Sequence, residues 1–189
     1  GLNITYSGEA LRQEDLDVFL NIVHLARMHR IGTEVSFTGN SFLKTIGWPN
    51  SGAGYKRLVD CIDRLQASSL SITYESVEAG IRENFTGSLI RSFTWREGLT
   101  NTPLREWTIK LEQDIINLFQ PTAYSRVDWN TRLKLPPMAK FLHAFYHTTE
   151  NPIPLSVESL HKLMESRIVE MRQYRYGLKK ALQLLVDHG

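Results

Sequence analysis

Asp17-Val18-Phe19-Leu20-Asn21-Ile22-Val23-His24 is echoed about 120 positions later by Ala139-Lys140-Phe141-Leu142-His143-Ala144-Phe145-Tyr146. Outward from this pair the echo continues. Glu34-Val35-Ser36-Phe37 is matched by Pro154-Leu155-Ser156-Val157. Tyr55-Lys56-Arg57-Leu58, running through Cys61-Ile62 to Leu65, is matched by Arg175-Tyr176-Gly177-Leu178, running through Ala181-Leu182 to Leu185. In both copies the predicted order is helix, short strand, short helix, long basic helix. That order describes a winged helix, so the chain reads as a tandem of nucleic-acid-binding modules. The fold class expected is α+β and mainly helical.

In the first copy Leu11, Leu16, Phe19, Leu20, Val23 and Ala26 recur near the 3.6-residue period and predict a helix over 11–27. A short extended stretch follows at Glu34–Phe37. Ser41–Gly47 reads as a brief helix closed by Gly47 and stopped at Trp48-Pro49. Ser51-Gly52-Ala53-Gly54 is a flexible turn into a helix over 55–67. There Leu58, Cys61, Ile62 and Leu65 form one stripe, while Lys56, Arg57, Asp60, Asp63 and Arg64 face elsewhere. The alternating runs Leu70–Val77, Phe85–Arg96 and Glu106–Lys110 predict a three-stranded antiparallel sheet whose exposed loop is the wing. Asp114–Phe119 is a short helix, and Pro121 ends the domain.

Residues 122–135 are mixed and polar and read as a linker with some local structure. Pro136-Pro137 opens a helix, as proline in a first turn does. Helices are predicted over 138–148, 157–165 and 170–187. The second copy stops at Gly189, where its wing strands should begin; either the native protein continues or this copy has lost its wing. The division expected is a first winged-helix domain over 1–120, a linker over 121–135 and a second, wingless one over 136–189.

Composition excludes several classes. With 42% hydrophobic and 22% charged residues over 189 positions, wholesale disorder is excluded. No apolar run approaches the ~20 residues of a membrane span. Gly1-Leu2-Asn3-Ile4-Thr5 has neither the basic start nor the apolar middle of a signal peptide. A lone cysteine, Cys61, forms no internal disulfide and fits a reducing cytoplasm. Net charge is only +2, so a nucleic-acid role depends on where charge sits. It sits near the C-terminal end, where Arg167, Arg172, Arg175, Lys179 and Lys180 face a single acid, Glu170.

The long basic helices are the candidate binding elements, since outward Arg and Lys meet phosphates and base edges and Tyr and Gln add hydrogen bonds and stacking. In the second copy Arg172, Gln173, Arg175, Tyr176, Lys179 and Lys180 lie opposite the stripe Met171, Tyr174, Leu178, Ala181, Leu182 and Leu185. The bland alternative is a solvated cationic face. In the first copy Lys56, Arg57 and Arg64 are interleaved with Asp60 and Asp63, whose carboxylates repel phosphate. The wing would add Arg82, Arg91 and Arg96, with Asn84 and Thr86 near its tip, for minor-groove or backbone contact. Arginines that only block edge pairing are the alternative there.

His143 and His147 are four apart on one helix face, but two ligands are too few for a metal and no third is evident. Cys61, on an apolar face, reads as a small core residue. Ser51-Gly52-Ala53-Gly54-Tyr55-Lys56 lacks the spacing and preceding strand of a phosphate loop. No catalytic constellation stands out, so neither enzyme activity nor a cofactor is expected.

The motifs Leu16-Asp17-Val18-Phe19-Leu20 with His24-Leu25-Ala26-Arg27, Gly32-Thr33-Glu34-Val35-Ser36-Phe37, Ile46-Gly47-Trp48, Gly54-Tyr55-Lys56-Arg57-Leu58, Leu65-Gln66-Ala67 and Phe141–Tyr146 resemble the TrfA-type plasmid replication initiators over nearly the whole chain. The resemblance implies two winged helices that bind direct repeats (iterons) in double-stranded origin DNA, melt adjacent AT-rich DNA and recruit the host helicase. It implies that the helix Arg172–Lys180 is the principal reader. The helix from Tyr55 and the strand Leu70–Val77 would be auxiliary or homodimer surfaces. It also implies contact with the polymerase sliding clamp through a Leu-Phe motif. Ile116-Asn117-Leu118-Phe119 is a loose match for that motif, with core placement of Leu118 and Phe119 as the alternative. A winged-helix transcriptional regulator acting by occupancy is the rival reading.

Overall fold

Ile4 and Tyr6 alternate with Asn3, Thr5 and Ser7, and the chain opens as strand β1 (Leu2–Ser7). The computed structural model describes residues 2–28, 33–76, 80–97, 103–117, 127–149, 151 and 153–188. The chain divides into two compact units, Gly1–Tyr124 and Ser125–Gly189.

In the first unit β1 is followed by α1 (Gln13–Met28), β2 (Glu34–Thr38), α2 (Gly39–Thr45) and α3 (Gly52–Ala67). Then come β3 (Ser69–Ser76), β4 (Ile81–Gly87), β5 (Ser92–Glu97), β6 (Pro103–Lys110) and α4 (Gln113–Asn117). The apolar stripes close on one another: Val18, Ile22 and Ala26 of α1 and Leu58, Ile62 and Leu65 of α3 are buried, as are Phe42 and Leu43 of α2. Each such side chain contributes about 1.5–3 kcal/mol by leaving water. Thr38 caps α2 by accepting from the Ser41 N–H, and Ser51 caps α3 by accepting from the Gly54 N–H.

The strands form two antiparallel three-stranded sheets, ordered β2-β6-β5 and β1-β3-β4. The sequence reading joined parts of both into one sheet. In the first sheet Phe37 lies opposite Trp107 and Trp107 opposite Trp95, while Val35 and Phe93 flank Ile109. These residues therefore share the face turned to the helices, where Phe93 and Tyr55 meet the Trp107 ring at 5.3 and 5.9 Å. The β5–β6 hairpin is the wing, and α3 packs against β5. The β3–β4 hairpin instead pairs with β1, and its outer row is polar, with Ser71 bonded to Thr86 and Thr73 to Asn84.

The run Phe85–Arg96 had to break because the chain changes sheets within it. Ser88 Oγ donates to the Ile90 carbonyl at 2.7 Å, and Ile90 is fully buried at the corner. Val77, Leu118, Phe119 and Pro121 lie outside the described residues.

The second unit contains α5 (Trp129–Lys134), α6 (Pro137–Thr148), α7 (Val157–Leu163) and α8 (Met171–His188). The expected linker over 121–135 is thus corrected in its described part. Asp128 caps α5 by accepting from the Asn130 and Thr131 N–H groups, and Leu135 is part of the unit's core. Arg132 is buried and donates to the Lys140 carbonyl. Leu135, Ala139, Leu142, Leu160, Tyr174, Leu178 and Ala181 form that core. Leu182, expected on the apolar stripe, is 38% exposed, whereas its counterpart Ile62 is fully buried.

Candidate nucleic-acid interface

On α3 the cations are held in place by neighbours. Lys56 Nζ lies 2.8 Å from Asp60, one turn on. Arg57 donates to Glu14 of α1 through Nε and Nη2 at 2.8 and 2.6 Å, and its guanidinium stacks over Trp48 at 4.0 Å. Arg64 is turned inward. It donates to the fully buried Asp15 at 2.7 Å and approaches Cys61 Sγ at 3.2 Å. Asp15 raises the Arg64 pKa further, and burial, then Asp15, push the Cys61 thiol up. Among the described residues Glu14, Asp15 and Cys61 are the one cluster with metal-ligating spacing, and the Arg64 cation is bonded into it.

The expected wing arginines are corrected in part. Arg82 is on β4, directly across from Glu75 of β3, and the two form an ion pair. It therefore belongs to the β1-β3-β4 sheet and not to the wing, as do Asn84 and Thr86. Arg91 precedes β5 at the base of the wing, where its backbone N–H donates to the Lys110 carbonyl. Its side chain sits 3.8 Å from Glu112 and is 67% exposed. The Arg96 side chain lies outside the described residues.

The second unit brings its predicted cations together. With Tyr174, Leu178 and Ala181 turned to the core, Arg172, Gln173, Arg175, Tyr176, Lys179 and Lys180 are all exposed along the outer side of α8. Lys180 Nζ lies over the Tyr176 ring at 4.5 Å. Arg175 Nη2 donates to Glu158 of α7 at 2.8 Å. Among the described residues Arg172, Lys179 and Lys180 have no carboxylate partner. Helix α7, the turn 164–170 and α8 make a helix-turn-helix. In that arrangement the second helix is the one that enters a major groove. The sequence reading had not paired Glu158 with Arg175 or Glu14 with Arg57, because those partners are distant in the chain.

His143 and His147 stack at 5.9 Å on α6. The His143 Nδ1 is buried without a hydrogen bond, and burial, then His147, hold the ring's pKa below its ordinary value. In the loose clamp motif Ile116 is buried in α4 and Asn117 is exposed; the Leu-Phe half lies outside the described residues. Among the described residues no helix is long and apolar enough to cross a membrane.

A crystal structure of RctB domains 2–3 matches the fold with a TM-score of 0.70 at 13% identity, covering 96% of this chain and 72% of that one. A selenomethionine structure of the same two RctB domains matches at 0.67, also at 13% identity, covering 96% of this chain and 73% of that one. At such identity the likeness is one of fold, and the fold is α+β with winged-helix architecture. The plasmid replication initiator protein TrfA of Escherichia coli is 25% identical over 189 residues, which are 100% of this chain and 48% of that protein. The chain thus spans about half the length of this curated relative. The model of the family described as TrfA protein matches residues 1–189. With the whole of its length covered by that model, the chain belongs to the TrfA protein family.

Proposed function

We propose that this chain is the DNA-binding part of a plasmid replication initiator, which binds origin iterons as duplex and promotes opening of the adjacent DNA. One observation carries the reading: the outer side of α8 gathers Arg172, Gln173, Arg175, Tyr176, Lys179 and Lys180 as the second helix of a helix-turn-helix. Arg172, Lys179 and Lys180 supply the phosphate attraction that dominates affinity, and Arg175, Gln173 and Tyr176 are placed to read base edges. Lys56, Arg57 and Arg91 of the first unit are auxiliary, because each has an acidic neighbour; Arg175 has one too, in Glu158, but stands among Arg172, Lys179 and Lys180 on one helix. The chain does no catalysis; the strain that opens DNA comes from binding. Family membership supports a cytoplasmic setting, the host helicase and sliding clamp as partners, and a homodimer as the inactive form.

Permanganate footprinting on a supercoiled plasmid bearing an iteron origin tests the proposal. Unpaired thymines beside the repeats are expected. Protection of the repeats without reactive thymines would replace the initiator by an occupancy-type regulator. A duplex affinity that stays flat with salt would remove DNA altogether.

A further inference from the structure

Glu158 is an exposed acid that meets Arg175 on the side where α8 gathers its cations. A carboxylate so placed repels phosphate, so its presence beside Arg175 needs a reason. Glu158 is the second residue of α7, whose N-cap Ser156 accepts from the Ser159 N–H at 3.0 Å. The Arg175 guanidinium donates to the carboxylate; the backbone N–H of Glu158, then Arg175, hold its pKa below the usual range. The partner comes from the other helix of the helix-turn-helix, 17 positions on.

The first copy has no such pair. Counted from its own cap, Thr38, the corresponding residue is Asn40, and the counterpart of Arg175 is Tyr55, whose ring lies against Trp107. The arginine of α3 that is paired, Arg57, takes its carboxylate from Glu14 of α1 and not from the short helix before it, so a pair across the helix-turn-helix belongs to the second copy.

We infer that Glu158 is a specificity-determining positioning residue: it holds Arg175 toward a base edge and keeps that guanidinium off the phosphate backbone. This rests on the duplex-reading role given to α8 above. Glu158 occupies one of the five N–H donors that a guanidinium carries, leaving the fork that grips guanine bidentately. Arg172 and Lys179, which have no carboxylate partner among the described residues, are left to meet phosphates. Glu158 thus divides the cations of one helix into a reader and a set of anchors.

The test is binding-site enrichment from a library of duplexes with a randomised core of about 20 base pairs, two helical turns. The intact chain, Glu158→Gln, Glu158→Asp and Arg175→Ala are compared. Expected for Glu158→Gln is a motif that loses its preference at one base pair, with the target-to-random affinity ratio falling about tenfold while random-duplex affinity rises. A loss of that size equals the discrimination of one good base contact. Glu158→Asp, which keeps the charge, should recover part of the ratio, and Glu158→Gln should change nothing further in the Arg175→Ala background. A Glu158→Gln motif identical to the parent's overturns the inference and leaves the duplex-reading proposal standing. An equal loss from Glu158→Gln with and without Arg175 also overturns it. If the parent chain enriches no motif, both readings fall.

Discussion

Gly47 and Glu165 occupy the same place in the two copies, one residue past the cap of a short helix, and both have positive φ, 70° and 45°. The bonds around them also match. Gly47 and Trp48 N–H groups donate to the Lys44 and Leu43 carbonyls, and Glu165 and Ser166 N–H groups donate to those of Lys162 and His161. This is the same helix-ending motif twice, with its left-handed residue at the turn between helices. A glycine takes that conformation without cost; a glutamate does not, by roughly 1–2 kcal/mol.

Glu165→Gly should therefore stabilise the second unit. Glycine's greater freedom in the unfolded chain offsets part of the relieved strain, so a net gain of about 0.5–1 kcal/mol is expected. Gly47→Ala should do the opposite in the first unit. Urea unfolding of each variant reads both, and a destabilised Glu165→Gly would contradict the strain assigned to that turn.

Removing one partner of the Asp15–Arg64 pair should be costly, because Asp15 is fully buried and Arg64 nearly so. Asp15→Ala leaves the guanidinium with only its weaker contacts to Glu14 and Cys61 and also removes the acceptor of the Arg12 N–H at the start of α1. A loss of about 3–5 kcal/mol is expected. Chemical denaturation followed by circular dichroism measures it, and a loss below about 1 kcal/mol, as for a surface pair, would refute the buried-clamp reading.

Gly54 and Gly52 open the same helix with different freedom. A Cβ on Gly54 would lie 2.1 Å from the Pro49 carbonyl oxygen, while one on Gly52 meets nothing within 4 Å. Gly54→Ala should destabilise by about 1–3 kcal/mol through forced backbone movement. Gly52→Ala should be neutral or stabilising by up to about 1 kcal/mol. Thermal melts of the pair suffice, and equal effects would show that the approach to Pro49 does not constrain the turn.

His143 gives the second unit a pH dependence. Burial, followed by His147 and Arg132, lowers its folded-state pKa below 6.5, with Asp128 opposing. Between the two values the unfolded chain binds more protons, so stability rises with pH there. The contribution is complete above about 6.5 and is lost as pH falls through the lower folded value. Unfolding midpoints from pH 7.5 to 5 should drop in the parent chain and drop less in His143→Phe; parallel curves would exclude His143 as the source (pH values chosen to span about one unit either side of an ordinary histidine).

Arg175 and Lys179 should fail differently. Arg175→Ala is expected to cost about 1–3 kcal/mol and relax the preference at one base. Lys179→Ala should weaken binding to every duplex alike and lower the salt slope by about 1. Fluorescence anisotropy on cognate and scrambled duplexes at several salt concentrations separates the two, and identical profiles would deny Arg175 a reading role.

The helices were legible from residue pattern because their stripes keep one period and their caps are local. Leu58, Cys61, Ile62 and Leu65 fall where the 3.6 period puts them, all buried. The strands were harder. The sheet change at Ser88–Arg91 is set by the burial of Ile90, which no alternation rule sees, and so Arg82 was placed on the wrong hairpin. Strand β1 pairs with β3 62–72 positions away, and its short Ile4/Tyr6 alternation passed unread. The cationic face of α8 was visible because it is a helical periodicity. Its partition by Glu158 was not, nor was the Arg57–Glu14 link, because both depend on how separate elements meet in space.

The ion pairs of α3 also set an order of events. At physiological ionic strength fields decay over about 8 Å, so Lys56 with Asp60 and Arg57 with Glu14 look to a distant polyanion like small dipoles. Arg172, Lys179 and Lys180 keep the reach of separate charges. Under the proposed function, capture of a duplex from solution would be a property of the second unit, with a strongly salt-dependent association rate. Under the same proposal, the first unit would engage second, as an intramolecular step insensitive to how much protein is present.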